Sequence, residues 1–110
     1  PFQAALSIWR SAARCFDNIF AGLSGPAVRP IALRMVWQAV GAVNIPVVGL
    51  GGIATGKDAL EFIMAGATAV QVGAANFANP RAMETIAEEM AAWMDAHGVK
   101  TLDEIRGCAR

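Results

Sequence analysis

The sequence predicts an α/β fold with parallel strands, present here as the carboxyl-terminal portion of a larger domain. Three observations carry this. Two short apolar runs, Val47–Leu50 and Thr68–Val72, each end in glycine and feed a helical pattern. Strands alternating with helices of about 10–15 residues imply βαβ units and a parallel sheet. Finally, two or three strands cannot close a barrel or bury both faces of an open sheet, so the segment completes its core only within a larger domain.

The elements follow in order. Residues 1–17 contain no clear strand or glycine turn and form an unassigned leader; Ala4, Leu6, Ile8, Trp9, Arg10 and Arg14 offer at most a short amphipathic helix. From Asn18 the pattern becomes regular over 18–110. Asn18–Pro26 is a glycine-punctuated loop with a residual strand at Ile19–Phe20. Pro30 suits the first turn of a helix, where its missing N–H costs nothing, and Ile31, Leu33, Val36, Trp37 and Val40 give that helix an apolar side. Gly41 weakens its end. Pro46 biases Ile45 away from helix. Val47–Leu50 is uninterruptedly apolar, the pattern of a strand buried on both faces.

Thr55-Gly-Lys-Asp58 has the spacing of a capping box, and the helix it opens buries Ala59, Leu60, Phe62, Ile63 and Met64 before Gly66 stops it. After strand Thr68–Val72, Asn79 and Pro80 mark a cap and first helical position. Met83, Ile86, Ala87, Met90 and Met94 recur at helical spacing, and Gly98 closes the segment. Thr101-Leu-Asp-Glu104 offers a second capping box for a last short helix.

Composition narrows the function classes. The 110 residues are 55% hydrophobic and 16% charged with no formal net charge, which suits one small core and leaves no electrostatic footprint for nucleic acid or an anionic membrane. No apolar run reaches the roughly 18–20 residues of a membrane span. Cys15 and Cys108 lack metal or redox spacing and read as free thiols of a reducing compartment.

The chemistry concentrates at two turns. Val47-Val-Gly-Leu-Gly-Gly-Ile53 and Thr68-Ala-Val-Gln-Val-Gly-Ala74 place Gly51, Gly52 and Gly73 at the carboxyl ends of neighbouring strands. Glycine there lets an anion approach exposed backbone N–H groups, so the pair predicts a phosphate cradle. Its repetition in successive βα units matches the phosphate site of many (β/α)8 barrels. A dinucleotide fingerprint does not fit, because Gly56 follows Gly51 by five residues and the motif needs three. Ser24 lacks the spacing of a nucleophile elbow, and the only histidine, His97, reads as a helix-terminal or exposed side chain. Lys57 can steer phosphate or merely solubilise a first turn. Asn76 can cap a phosphate-facing helix or act as a turn residue. Glu84, Glu88 and Glu89 read as an exposed face, and Trp37 and Trp93 as core. No acid, base or metal cluster faces the glycine turns.

From Asn18 to about Arg106 the chain resembles the carboxyl-terminal part of dihydroorotate dehydrogenases, within them class 1B, whose flavin barrel works with a separate electron-transfer subunit. The matching pieces are Gly22-Leu-Ser-Gly-Pro-Ala27, Pro30-Ile-Ala-Leu33, Ile45-Pro-Val-Val-Gly-Leu-Gly-Gly-Ile53, Asp58-Ala-Leu-Glu-Phe-Ile-Met-Ala-Gly-Ala67 and Val70-Gln-Val-Gly-Ala-Ala-Asn-Phe77. Pro1 to Asp17 fall outside them.

The resemblance implies an incomplete (β/α)8 TIM barrel whose parent binds FMN and oxidises dihydroorotate to orotate in pyrimidine biosynthesis. It implies a cytoplasmic homodimer with a separate FAD and iron–sulfur subunit, binding neither nucleic acid nor membrane. Gly25, Gly51, Gly52, Gly73 and Ala74 match positions that contact FMN. Ala74 departs from the pattern, where threonine is usual; the lost hydroxyl bond is worth about 1 kcal/mol. The family's catalytic cysteine, flavin-contacting lysine and orotate-binding asparagines belong to earlier strands, so the chain alone is expected to be inactive. The alternatives are another phosphate-binding barrel enzyme, such as an FMN-dependent hydroxy-acid oxidase, or a non-catalytic half-barrel module.

Overall fold

A computed structural model of the chain describes residues 2–3 and 20–110. Cys15 and the amphipathic pattern at residues 4–14 lie outside the described residues. Strand β1 (Phe2–Gln3) pairs antiparallel with β2 (Phe20–Ala21), so the leader does contribute a strand, which its sequence does not announce. A 3₁₀ turn (Pro26–Val28) leads into helix α1 (Arg29–Ala42), then strand β3 (Val48–Leu50) and helix α2 (Gly56–Met64). Strand β4 (Ala69–Gln71), the single turn α3 (Ala75–Ala78), helix α4 (Ala82–Ala96) and a 3₁₀ turn (Leu102–Glu104) complete the order.

Strands β3 and β4 pair in parallel, with Val48 opposite Ala69, Gly49 opposite Val70 and Leu50 opposite Gln71. Two faces result. On one, Gly49 is buried beneath Phe62 of α2; a Cβ built on Gly49 would stand 2.6 Å from the ring Cδ1. On the other lie Val48, Leu50, Ala69 and Gln71, all exposed. The expectation of a strand buried on both faces is therefore corrected: Val48 is 46% and Leu50 56% exposed. Among the described residues, the helices cover one face only, and no second layer reaches the other.

The core forms where α2 is clamped between the sheet, α1 and α4. Ala59, Leu60, Phe62 and Ile63 are buried as the periodicity predicts, joined by Val36, Ile53, Ala67, Ile86 and Ile105; Met64 is only half-buried. Burying such side chains contributes about 1.5–3 kcal/mol each. Thr55 caps α2 as predicted: its hydroxyl accepts from Asp58 N–H, and Asp58 Oδ2 accepts from Thr55 N–H at 3.1 Å.

Elsewhere the periodic patterns are shifted. Helix α1 runs through Gly41 and turns Ala32, Leu33, Val36 and Val40 to the core, leaving Ile31 and Trp37 exposed. Helix α4 turns Ile86, Met90 and Trp93 inward as predicted, with Ala82 joining them, whereas Met83 and Ala87 of the predicted row are exposed. Its start is also later than Pro80. Asn79 Oδ1 accepts from Arg81 N–H at 3.0 Å, and the Asn79 carbonyl accepts from Ala82 N–H at 2.9 Å, so the Asn-Pro pair forms a turn ahead of the helix. Thr101 supplies no side-chain cap; Glu104 Oε2 instead takes the Lys100 N–H at 3.1 Å.

The last residues latch the layers together. Gly107 N–H donates to the Ile63 carbonyl, which also accepts from Gly66 N–H, and Ala109 N–H donates to that of Met64, which the end of α2 leaves open. The Arg106 guanidinium donates to the Ala67 and Thr68 carbonyls, and Arg110 donates to the Trp37 carbonyl while its guanidinium stands 5.2 Å from the Trp37 ring centroid.

If Gly49 admits Phe62 to the strand, then Gly49→Val should cost about 1–3 kcal/mol through overpacking, and Phe62→Ala about 3–5 kcal/mol through the cavity left behind. Urea midpoints of the two variants against the wild type measure both.

Candidate functional site: a backbone cradle at the ends of two strands

All five residues singled out by the sequence, Gly25, Gly51, Gly52, Gly73 and Ala74, line one cavity of about 990 Å³. The parallel ladder brings the two strand ends together: continuing the register past Leu50 and Gln71 sets Gly52 level with Gly73. Gly25 joins them from the other side. A Cβ on Gly52 would lie 2.7 Å from the Gly25 carbonyl oxygen and 2.9 Å from Arg29 N, so the two turns touch with no room between them. Gly52 also has φ +71°, where a side chain is strained.

The amides at these turns are available. Among the described residues, the N–H groups of Gly52, Gly73 and Ala74 donate no hydrogen bond outside the strand ladder, and Gly51 stands at the edge of that ladder. Unpaired donors of this kind are an anion-binding concavity. Gly73 adds a second sign: nothing stands within 4 Å of where its Cβ would be, and its φ is not left-handed, so the fold itself does not demand glycine there.

The amino end of α2 is not part of this donor set. Asp58 Oδ2 accepts the N–H groups of Ala54 and Thr55 at 3.1 Å each, Glu89 Oε2 accepts that of Gly56, and the Thr55 hydroxyl accepts that of Asp58. Glu89, read from the sequence as a surface charge, thus holds α4 against α2. Lys57 is exposed and does not line the cavity, so it solubilises rather than grips. Asn76 caps nothing; its Nδ2 donates to the Val72 and Gly73 carbonyls, fixing the turn after β4. Ser24 lines the cavity with no histidine beside it, and His97 lies elsewhere, stacked on Trp93 at 4.1 Å. No metal-binding group of His, Cys, Asp or Glu occurs among the described residues.

Sequence reasoning missed one network. Arg29 Nη1 lies 2.9 Å from Asp58 Oδ1 and 2.5 Å from Glu61 Oε2, joining the first turn of α1 to α2. The i, i+3 spacing of Asp58 and Glu61 on one helix face was the available signal.

The residues from 6 to 94 match the family model described as dihydroorotate dehydrogenase. The chain belongs to the dihydroorotate dehydrogenase family. The match begins at residue 6, upstream of the motifs that start at Asn18. Among relatives of the family, the catalytic subunit of dihydroorotate dehydrogenase B (NAD(+)) from Geotalea uraniireducens is 57% identical over 90 residues, covering 82% of this chain and 30% of that protein. The corresponding subunit from Geobacter sulfurreducens is 60% identical over 90 residues, with the same coverage of 82% and 30%. The chain thus spans about 30% of the length of the curated relatives it matches.

Structural likeness agrees. The crystal structure of DHODH from Eimeria tenella in complex with ferulenol superposes with a TM-score of 0.75 at 26% identity, over 81% of this chain and 24% of that one. The chain is an incomplete (β/α)8 barrel, as expected, and the exposed face of β3 and β4 belongs to that incompleteness.

Gly52 and Gly73 should respond differently to a methyl group. Gly52→Ala is expected to lose about 1–3 kcal/mol from its left-handed φ and its contact with Gly25, whereas Gly73→Ala should stay within about 0.5 kcal/mol. Thermal denaturation of both variants measures the contrast.

Proposed function

We propose that this chain is the part of a class 1B dihydroorotate dehydrogenase catalytic subunit that holds the phosphate of FMN. The supporting observation is the set of unpaired amides at Gly52, Gly73 and Ala74, gathered with Gly25 and Gly51 around one cavity. These amides fit a dianion: they are neutral donors, fixed in direction, and among the described residues no acidic side chain lines the cavity with them. The whole enzyme would oxidise dihydroorotate to orotate, with FMN bound here as the hydride acceptor.

The chain's own residues bind and orient. By fixing the phosphate, the cradle sets where the far end of the flavin lies, and fixed geometry of this kind lowers a barrier without touching the reacting atoms. Much of the rest of the cavity wall is apolar, Val70, Val72, Ile86 and Met90 standing among the polar Ser24, Gln71 and Asn79. No catalytic acid or base is assigned to this chain, so the chemistry rests on residues outside it. The relatives' printed name, a catalytic subunit, supports a separate electron-transfer partner; we assign it FAD and an iron–sulfur centre, and take the catalytic subunit to be a homodimer in the cytoplasm. Cys108 is a free, exposed thiol, in keeping with that compartment.

The intact protein should purify with FMN, seen as flavin absorbance and released on denaturation. Gly73→Asp, which sets a carboxylate in the cradle where the fold leaves space, should lower FMN affinity at least about tenfold with little change in melting temperature. Ala74→Thr should tighten it about fivefold, the worth of one restored hydrogen bond near 1 kcal/mol. An intact protein that takes up no flavin overturns the reading.

A further inference from the structure

We infer that Arg29 is a positioning residue for the phosphate cradle, acting through Asp58 and without touching the ligand. The inference rests on the flavin-phosphate reading above and adds a residue to it. Arg29 is the first residue of α1, directly after the turn that carries Gly25. Its backbone nitrogen and Cβ both lie 2.9 Å from the place a Gly52 Cβ would occupy, so its main chain forms the wall of the second turn. Its guanidinium reaches the other way, to Asp58 Oδ1 at 2.9 Å and Glu61 Oε2 at 2.5 Å.

Asp58 is the link. Oδ1 holds Arg29, while Oδ2 accepts the N–H groups of Ala54 and Thr55, which continue the Gly51–Gly52 turn. A single carboxylate therefore ties the loop after β3 to the helix after the Gly25 turn. Cut this tie, and the Gly25 and Gly52 turns are held only by contact. The three side chains are each about a third exposed or less, so solvent screens the pair and its worth to overall stability is small. Its worth to the spacing of the two turns is larger, because a cradle of fixed donors loses its grip when they shift by a fraction of an ångström.

The charge balance points the same way. Asp58 and Glu89 both lie at the amino end of α2, next to the anion site, and Lys57 is exposed and makes no ion pair among the described residues. Arg29 is the cation that faces Asp58. Its guanidinium is already engaged by two carboxylates, and it does not line the cavity, so it is not a phosphate ligand.

The test compares FMN with riboflavin, which lacks the phosphate, on the intact protein at several salt concentrations. Wild-type protein that binds FMN no better than riboflavin would overturn the flavin-phosphate reading itself. Given wild-type preference for FMN, Arg29→Gln should lower FMN affinity about tenfold and leave riboflavin affinity within about twofold. Arg29→Lys, which keeps the charge but not the fork, should recover part of the loss, and Glu61→Gln should reproduce a smaller loss. The positioning role is overturned if the FMN-to-riboflavin ratio is unchanged, or if both ligands weaken alike. It is also overturned if wild-type FMN binding weakens steeply with salt and Arg29→Gln abolishes that dependence, since a direct phosphate contact would do so. Should Arg29→Gln fail to fold, the same ratio from Arg29→Lys and Glu61→Gln decides.

Discussion

A strand with no side chain at Gly49 lets the Phe62 ring lie directly against the backbone of β3, and the rest of the structure is arranged around that contact. It sets the distance from α2 to the sheet, which in turn sets where the loop between β3 and α2 emerges. Ile53, at the foot of that loop, is buried in the same core. The cradle is therefore not a loose loop decorating a sheet. Its second turn is anchored at one end by the ladder with β4 and at the other by the capped start of α2.

Among the described residues, the candidate cradle has no cation of its own. Among the described residues no lysine or arginine lines the cavity, and at the amino end of α2, a natural place for an anion, the N–H groups of Thr55, Gly56 and Asp58 go to Asp58, Glu89 and Thr55. What remains is a row of neutral amides at two turns, held close by packing. Such donors give direction rather than long-range attraction. They bind a phosphate that is delivered as part of a larger, apolar-walled ligand better than one arriving free in solution. The apolar wall made by β4 and α4 fits that division of labour.

Much of this was legible in the residue order. The parallel pair of strands, the capping box at Thr55 and Asp58, the burial of Leu60, Phe62 and Ile63, and the convergence of five cradle residues on one cavity all follow from local signals. Those signals are short-range: a β-branched run, a cap three residues from its partner, a glycine at a strand end. The misreadings share a different cause. Val48 and Leu50 look like a doubly buried strand because their composition suits a barrel interior, yet burial needs a second layer and the described residues supply only one. Trp37 looks like core and instead carries Arg110 on its face, a contact between residues 73 apart.

The sequence by itself determined the elements, their parallel order and the positions where backbone would be bare, because each depends on neighbours within a turn or two. Only the tertiary structure decided which amides stay unpaired and which carboxylates are spent. It also decided that Arg29 would reach Asp58 and Glu61 across two helices. Those outcomes depend on how helices meet at contacts about 30 residues apart, where spacing along the chain carries no information about distance in space.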